Sequence, residues 1–448
     1  MKSKLFRMLA SVLLLAGILF SSCTSTGAKH PTPIPGTHPV IFVHGGAGSG
    51  AQFESQAMRF ESNGYPADYI AVHEYDSSYS INTMEDVWAG LDQLIDNLLE
   101  QTGADQVDIV GHSLGTVVMY GYLGSSPERA AKVAHYVNVD GMPAAAPPGG
   151  VLTLAIWAGR GAPDRQIVGA TNVTVPDQTH VQSATSAESF VEMYKFFTGK
   201  DPATTDIVPE PASQVELAGR AVTFPQNQGA TNATLEIWKV DGDTGGRIGK
   251  KAEAVYSLGA DGAWGPFQAK GGQHYEFVVL REGLSTAHFY YEPFIRSDYL
   301  IRLNLDPPVD GVGSLMDTSD HQSNMLILRY REFWGDQGVE DDTLQVNGVN
   351  VVNAATSPLS KRVNGVFVYD KGADGASDLT APIPAYFAIT FLTGVDLFIP
   401  GATPPTGTTL VVLTPRGGGG KTQVINVPNW ASSTERITVQ FRDGLQED

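Results

Sequence analysis

The chain has 448 residues, too many for one ordinary hydrophobic core, and its length suggests two or three domains. Glycine and proline, 49 and 27 residues, exceed the ~12 % of ordinary usage, which favours a turn-rich chain with much β structure over a helix bundle. Acidic residues outnumber basic ones 48 to 29, a net charge of −19 that excludes nucleic-acid or other polyanion binding as the main role. Hydrophobic residues at 42 % exclude global disorder, and a single cysteine, Cys23, excludes an intramolecular disulfide or a cysteine-rich metal site.

At the N-terminus, Lys2, Lys4 and Arg7 precede an uncharged, largely apolar run from Met8 to Phe20. That run is shorter than the ~20 residues of a membrane-spanning helix and has the length of a secretory h-region. Ser21 and Ser22 lead into Cys23, which resembles a bacterial lipoprotein signal. The expectation is removal of residues 1–22, lipidation of Cys23 and attachment to a bacterial membrane, at the cell surface or in the periplasm. An ordinary signal peptide and a secreted product are the alternative. Residues 23–38, rich in Thr, Pro and Gly, read as a tether.

Residues 39–203 alternate strand and helix signals. Pro39–Val43 is an apolar run that meets His44-Gly45-Gly46-Ala47-Gly48, and Tyr69–His73 is a second strand candidate. From Met84 to Leu99 the apolar residues recur on one helical face, with Asn82 or Thr83 as N-cap and Gly103 past the end. Val107–Val110 runs into Gly111-His112-Ser113-Leu114-Gly115 and a helical stretch from Thr116. Val133–Val139 and Leu152–Trp157 are further strands, and a last helix runs from near Ser186 to Phe197. Such alternation predicts a mostly parallel sheet covered by helices on both faces.

Residues 201–211 form a proline-bearing linker, and from about residue 204 to 448 the pattern is all-β. Strand-like runs such as Ala233–Val240, His274–Leu280, Met325–Tyr330 and Thr409–Leu413 are separated by Asp-Gly and Asn-Gly turns. A sandwich or barrel is expected, with a possible division near Leu305. Pro415–Thr422 superficially suggests a phosphate-binding loop. It lacks the first glycine and a following helix, and reads as a hairpin loop.

Gly111-x-Ser113-x-Gly115 lies between a predicted strand and a predicted helix, the setting of a nucleophile elbow. Its glycines relieve a strained turn, and the helix N-terminus directs free N–H groups at developing negative charge. Two donors for an oxyanion are expected from the backbone N–H groups of Gly46 and Leu114. Among the ten histidines, His30 and His38 lie in the tether, His44 and His112 belong to the turns, His73 and His135 to strands, and His274, His288 and His321 to the β region. His180 remains as the base, in the order Ser…Asp…His. Pattern leaves Asp140 and Asp164 equally placed as the acid, and Asp177 reads as a turn residue.

Several longer stretches resemble the family of two-domain lipases that includes the Archaeoglobus fulgidus enzyme. They are Gln52–Phe60 with Asn63–Ala67, Ser126–His135, Ala170–Val173 with Thr179–Gln182, and Pro202–Pro209; Tyr290–Phe294 and Asn429-Trp430 match more faintly. The resemblance implies an α/β-hydrolase fold followed by the β region and a lipase or esterase acting on carboxylic esters, including long-chain acyl esters. It implies Ser113, Asp140 and His180 as the catalytic set, with no metal or organic cofactor. It also places the β region at the lipid-binding site, where Tyr290, Tyr291 and Phe294 are candidate contributors, although aromatic residues in such strands more often belong to the core. The family's helical lid insert has no counterpart here, since only Glu74–Ile81 separates strand from helix; an open cleft and a bulky or polymeric ester are expected. Other classes share the residues: an amidase, thioesterase or polyester hydrolase, or a binding or scaffold lipoprotein with a vestigial hydrolase domain.

Overall fold

A computed structural model describes residues 35–443; the expected signal sequence, residues 1–22, and Cys23 lie outside the described residues. Six strands, β1 (Val40–Val43), β2 (Ile70–His73), β3 (Val107–His112), β4 (Val133–Val139), β5 (Leu152–Ala158) and β6 (Thr171–Val175), form one parallel sheet. Its order is β2-β1-β3-β4-β5-β6, so the direction of winding reverses between β1 and β3. Open α/β sheets bind ligands at that reversal, beyond the carboxyl ends of the strands. Six helices accompany the sheet: α1 (Glu54–Ser62), α2 (Met84–Thr102), α3 (Leu114–Ser125), α4 (Pro127–Ala131), α5 (Gln182–Thr185) and α6 (Ala187–Thr198).

Local chemistry sets the helix ends. Thr83 and Asp86 form a reciprocal capping box at the start of α2, and Gly103 ends it in the left-handed conformation at φ 70°. Ser186 caps α6, which Gly199 terminates at φ 69°. The central strands are buried along their whole length, as a sheet covered on both faces requires. β6 was not expected. It is a short edge strand, exposed at three of its five residues, and carries no apolar run.

After Glu216 the chain builds three further sheets. Their strands are β7 (Glu216–Thr223), β8 (Gln228–Gly229), β9 (Thr234–Val240), β10 (Ala254–Ser257), β11 (Ala263–Gln268), β12 (His274–Leu280), β13 (Thr286–Tyr291) and β14 (Asp298–Leu305). There follow β15 (Met325–Arg329), β16 (Thr343–Val346), β17 (Val349–Asn350), β18 (Gly365–Tyr369), β19 (Leu392–Asp396), β20 (Thr408–Thr414), β21 (Gln423–Pro428) and β22 (Glu435–Phe441), with one short helix, α7 (Pro384–Phe387). The largest sheet has eight strands in the order β10-β9-β12-β13-β22-β15-β18-β19, drawn from both sides of residue 305.

This large sheet is shared by two cores on opposite faces. Phe289 and Tyr291 of β13 pack with Leu217, Ile301 and Leu303 of the small sheet β11-β7-β14. Tyr290, one residue out of phase, joins Ile327, Val439, Leu344 and Val411 beneath the small sheet β17-β16-β20-β21. The arrangement is a sandwich, and residues 415–422 are the loop of the β20–β21 hairpin, as expected. Among the described residues, no helix is long and apolar enough to cross a membrane.

The glycine of the parallel-sheet half that lies closest against backbone atoms is Gly115. A Cβ there would lie 2.3 Å from the Val43 carbonyl oxygen and 2.7 Å from that of His44, both backbone atoms that cannot rotate away. Gly115→Ala should therefore destabilise the protein by about 1–3 kcal/mol, the usual cost of overpacking. Denaturant melts of the two proteins would test this, and an unchanged midpoint would show that β1 and α3 can separate freely.

Candidate active site

Ser113 follows β3 and precedes α3 with φ 53° and ψ −118°, a conformation that non-glycine residues rarely adopt. The turn is held by Ser113 N–H donating to the Val139 carbonyl (3.1 Å) and by Thr116 Oγ1 donating to the Ser113 carbonyl (2.7 Å). His180, in the loop between β6 and α5, brings Nε2 to 2.8 Å from Ser113 Oγ. Its Nδ1 lies 2.6 Å from Asp140 Oδ2. Asp140 follows β4 and is buried, and its Oδ1 accepts from the Ala158 N–H at 2.8 Å and pairs with Arg165 Nη2 at 2.7 Å.

Burial alone would raise the Asp140 carboxyl. The His180 hydrogen bond and charge, the Ala158 N–H and Arg165 outweigh it and lower the pKa to about 2. The structure thus brings Asp140 to the imidazole. Asp164 is exposed, and Asp177 is exposed and pairs with Arg160 at 3.3 Å.

Gly46 and Leu114 line the same cavity as Ser113 and His180, and neither N–H donates to another group of the described residues. The turn that carries Gly46 is braced by Ala47 N–H donating to Ser77 Oγ (2.7 Å) and by Asn227 Nδ2 donating to the Gly48 carbonyl (2.9 Å). Gly45 is needed for contact, because a Cβ there would lie 2.9 Å from that of Ser113.

The other turn histidines are structural. Burial pushes His44 down in pKa; its Nδ1 donates to the Gly45 carbonyl at 2.8 Å, and its ring stacks on Tyr75. His112 is lowered to about 3, chiefly by burial. As the neutral Nε2–H tautomer it donates to the His180 carbonyl (2.9 Å) while Nδ1 accepts from Gln52 (2.9 Å).

Sequence reasoning missed the groups that hold the His180 loop from the far side. Glu332, just past β15, accepts from Val181 N–H at 2.7 Å on Oε1. Its Oε2 accepts from Gln182 N–H at 3.0 Å and Thr179 Oγ1 at 2.5 Å. Both neighbours of His180 are therefore gripped by one carboxylate. Arg416, in the β20–β21 hairpin, donates to Gln182 Oε1 at 2.8 Å and stacks over Trp334 at 3.8 Å. Asp342 sits between Arg329 and Arg416; burial pushes its carboxyl up, but the two guanidinium groups outweigh this and hold it well below its ordinary value. The dense charges of Arg329-Tyr330-Arg331-Glu332 at the end of an apolar strand were the available signal.

The cavity in front of Ser113 measures about 280 Å³. Much of its wall comes from the β region. Phe289, Thr438, Leu326 and Phe367 stand in register on β13, β22, β15 and β18, on one face of the large sheet; Phe289 sits at the edge of the core under the small sheet β11-β7-β14, and the other three lie beyond it. Val312, Met316 and Phe391 line it as well, and the Phe391 ring lies parallel to that of His180 at 6.4 Å. The β region therefore reaches a cleft that the missing insert was expected to leave open. Tyr290, Tyr291 and Phe294 do not line the cavity. All three are core residues, and Tyr290 donates from its hydroxyl to Glu276.

Away from this cavity, His38 and His135 bring Nδ1 atoms to 3.3 and 2.7 Å from Asp108 Oδ1. These residue types could hold a metal, but they lie at the amino ends of β1, β3 and β4, the opposite edge of the sheet from Ser113.

Comparison with known proteins agrees with this arrangement. Residues 37–124 match the class 2 lipase family model, residues 213–308 the lipase C-terminal domain, and residues 311–445 a further C-terminal domain. The chain thus carries a class 2 lipase domain followed by a lipase C-terminal domain. Among solved structures it is similar to Aspergillus fumigatus lipase B, at 12 % identity and a TM-score of 0.30, over 40 % of this chain and 56 % of that one. The chain thus spans little more than half the length of that lipase. A metagenome-derived lipolytic enzyme matches at 14 % identity and a TM-score of 0.28, over 38 % of this chain and all of its own. A Listeria innocua protein matches at 13 % and 0.28, over 38 % of this chain and 97 % of its own.

With both neighbours of His180 held by Glu332, its removal should loosen the imidazole without touching the substrate cavity. Glu332→Ala should lower kcat by on the order of tenfold or more while changing KM little, and Glu332→Gln should recover part of the loss. Steady-state kinetics on a soluble ester would check this; equal kcat in Glu332→Ala and the unmodified protein would show that the loop holds itself.

Proposed function

We propose that the chain hydrolyses carboxylic esters through an acyl-enzyme on Ser113. The observation that carries this reading is the hydrogen-bonded series Ser113 Oγ, His180 and Asp140, ending in a cavity beside two free backbone N–H groups. As Ser113 Oγ attacks the ester carbonyl carbon, His180 Nε2 takes its proton, and Asp140 fixes the Nδ1–H tautomer and stabilises the imidazolium. The Gly46 and Leu114 N–H groups receive the oxyanion. Collapse expels the alcohol, which takes the proton from His180. Water, deprotonated by the same imidazole, then releases the acid and restores the serine.

The apolar wall around Phe289, Leu326 and Phe367 supports an acyl site for medium to long chains or other bulky esters. Thioesters and amides could use the same groups, but a largely apolar cavity gives an amide leaving group no special support. A purely binding role is disfavoured, because a vestigial site would not need the imidazole, serine and carboxylate in hydrogen-bonding distance. The N-terminal pattern supports export and anchoring through Cys23, so palmitate labelling should be lost in Cys23→Ala.

Two measurements test the enzymatic reading. Asp140→Asn should cost on the order of 10⁴ in kcat on a 4-nitrophenyl ester, whereas Asp164→Asn should change it by no more than about twofold; the reverse ranking would contradict the assignment. For acyl chains the cavity can hold, kcat/KM should rise by up to roughly fourfold per added CH₂, as ~0.8 kcal/mol of burial allows. A series that is flat or falls from acetate onward would contradict an apolar acyl site.

A further inference from the structure

The cavity at Ser113 carries an unusual charge pattern. Arg281, Arg302 and Arg436 all line it. In a chain with 48 acidic and 29 basic residues, none of the three has a carboxylate within ion-pair distance among the described residues. Arg302 is only 7 % exposed. Its Nη2 donates to Asn227 Oδ1, its Nε has no acceptor, and it lies 6.0 Å from the Phe224 ring, another wall of the cavity. Asn227 in turn donates to the Gly48 and Tyr75 carbonyls, at 2.9 and 3.0 Å, which places Arg302 beside the turn that carries Gly46.

Arg281 donates Nη1 to the Asp306 carbonyl at 2.6 Å, and its buried Nε is also without an acceptor. Arg436 donates Nη1 to the Ser432 and Glu435 carbonyls at 2.5 and 2.9 Å. Carbonyl groups satisfy hydrogen-bond donors but supply no formal negative charge. The acid that shares this wall is Asp306, whose Oδ1 accepts from the Gly313 N–H at 2.9 Å; its charge acts on Arg281 and Arg436 from beyond ion-pair distance and is one against three. Arg329, a fourth arginine at the cavity, is paired with Asp342 and needs no counter-ion.

Buried charges in proteins are ordinarily paired, since an uncompensated one is costly to remove from water. Burial pushes all three arginines below their ordinary pKa, and the carboxylates near them, Glu74 for Arg302, Asp306 for Arg281, and Asp306 and Glu435 for Arg436, only partly offset this. A guanidinium kept unpaired beside a nucleophile, with donors unused, fits a ligand that brings the missing charge, and its fork suits carboxylate and phosphate oxygens. We propose that this cavity selects acyl esters carrying a formal negative charge, a carboxylate or a phosphate, held against Arg281, Arg302 and Arg436 while the ester carbonyl lies at Ser113. The proposal rests on the reading of Ser113 as the nucleophile and adds no chemical step to it. Neutral esters still enter the apolar part of the cavity; the arginines decide the preference between neutral and anionic molecules of the same size.

The test compares matched pairs on the full chain. One pair is 4-nitrophenyl hexanoate and mono-4-nitrophenyl adipate, which share a six-carbon acyl chain and differ by a terminal carboxylate. The other is a diacylglycerol and the corresponding phosphatidic acid in mixed micelles of a neutral detergent. The readout is the ratio of kcat/KM, anionic over neutral, within each protein. The expected result is a ratio above one in at least one pair. That ratio should fall by about tenfold or more in Arg302→Met, with smaller falls in Arg281→Met and Arg436→Met and a fall on raising the salt to 0.5 M. The pair that responds tells whether the charge sits on the acyl chain or on the alcohol. Arg281→Met and Arg436→Met decide the matter if Arg302→Met does not fold. Hydrolysis of the neutral esters with a ratio below one in both pairs, unmoved by the substitutions, would overturn the proposal and leave Ser113 chemistry standing. Failure of the unmodified protein to hydrolyse any of the four would overturn the underlying reading as well.

Discussion

The backbone of Ser113 is the constraint on which the site depends. A residue with a side chain held at φ 53° and ψ −118° carries on the order of 1–3 kcal/mol of strain, and it persists only where its surroundings leave no alternative. Here β3 enters the turn, α3 leaves it, and Gly115 lets the helix start lie against the Val43 and His44 carbonyls. That close approach is possible because β1 and β3 are neighbours in the sheet. The same adjacency brings the Gly45–Gly48 turn beside the serine, and β4, next in order, delivers Asp140 from the other side. One strained residue thus commits the strand order and the positions of both flanking turns.

The β region completes what the sheet begins. A β-strand shows its side chains alternately to two faces, and the large sheet uses both: each small sheet covers a different face at a different end. The uncovered part, with Thr438, Leu326 and Phe367, meets the hydrolase cleft. Glu332 and Arg416 then reach across to the His180 loop. The shape of the cavity at Ser113 and the placement of the imidazole therefore depend on the β region as well as on the parallel sheet.

Much of this was legible in the sequence because it rests on local rules. The capping residues of α2 and α6, the strand runs and the elbow each announce themselves within a dozen residues. The choice of acid was not legible from pattern, since Asp140 and Asp164 both follow strands; the family resemblance favoured Asp140, which lies 2.6 Å from His180 Nδ1. The edge strand β6 escaped because an exposed strand needs no apolar run. Tyr290, Tyr291 and Phe294 proved to be core and not cavity residues; an aromatic cluster does not say which face of a sheet it shows, and a shift of one residue separates Phe289, which reaches the cavity, from Tyr290 on the opposite face. Glu332 lies some 150 positions from the loop it grips, and the unpaired state of Arg302 depends on which carboxylates the fold leaves out of reach. Neither could be read without the tertiary structure.

The most direct test of the account is the reaction of the full chain with a fluorophosphonate, followed by peptide mass spectrometry. The account predicts rapid, stoichiometric modification of Ser113, abolished in Ser113→Ala and strongly slowed in His180→Ala. A folded protein that remains unlabelled at Ser113, or is labelled at a different serine, would contradict it.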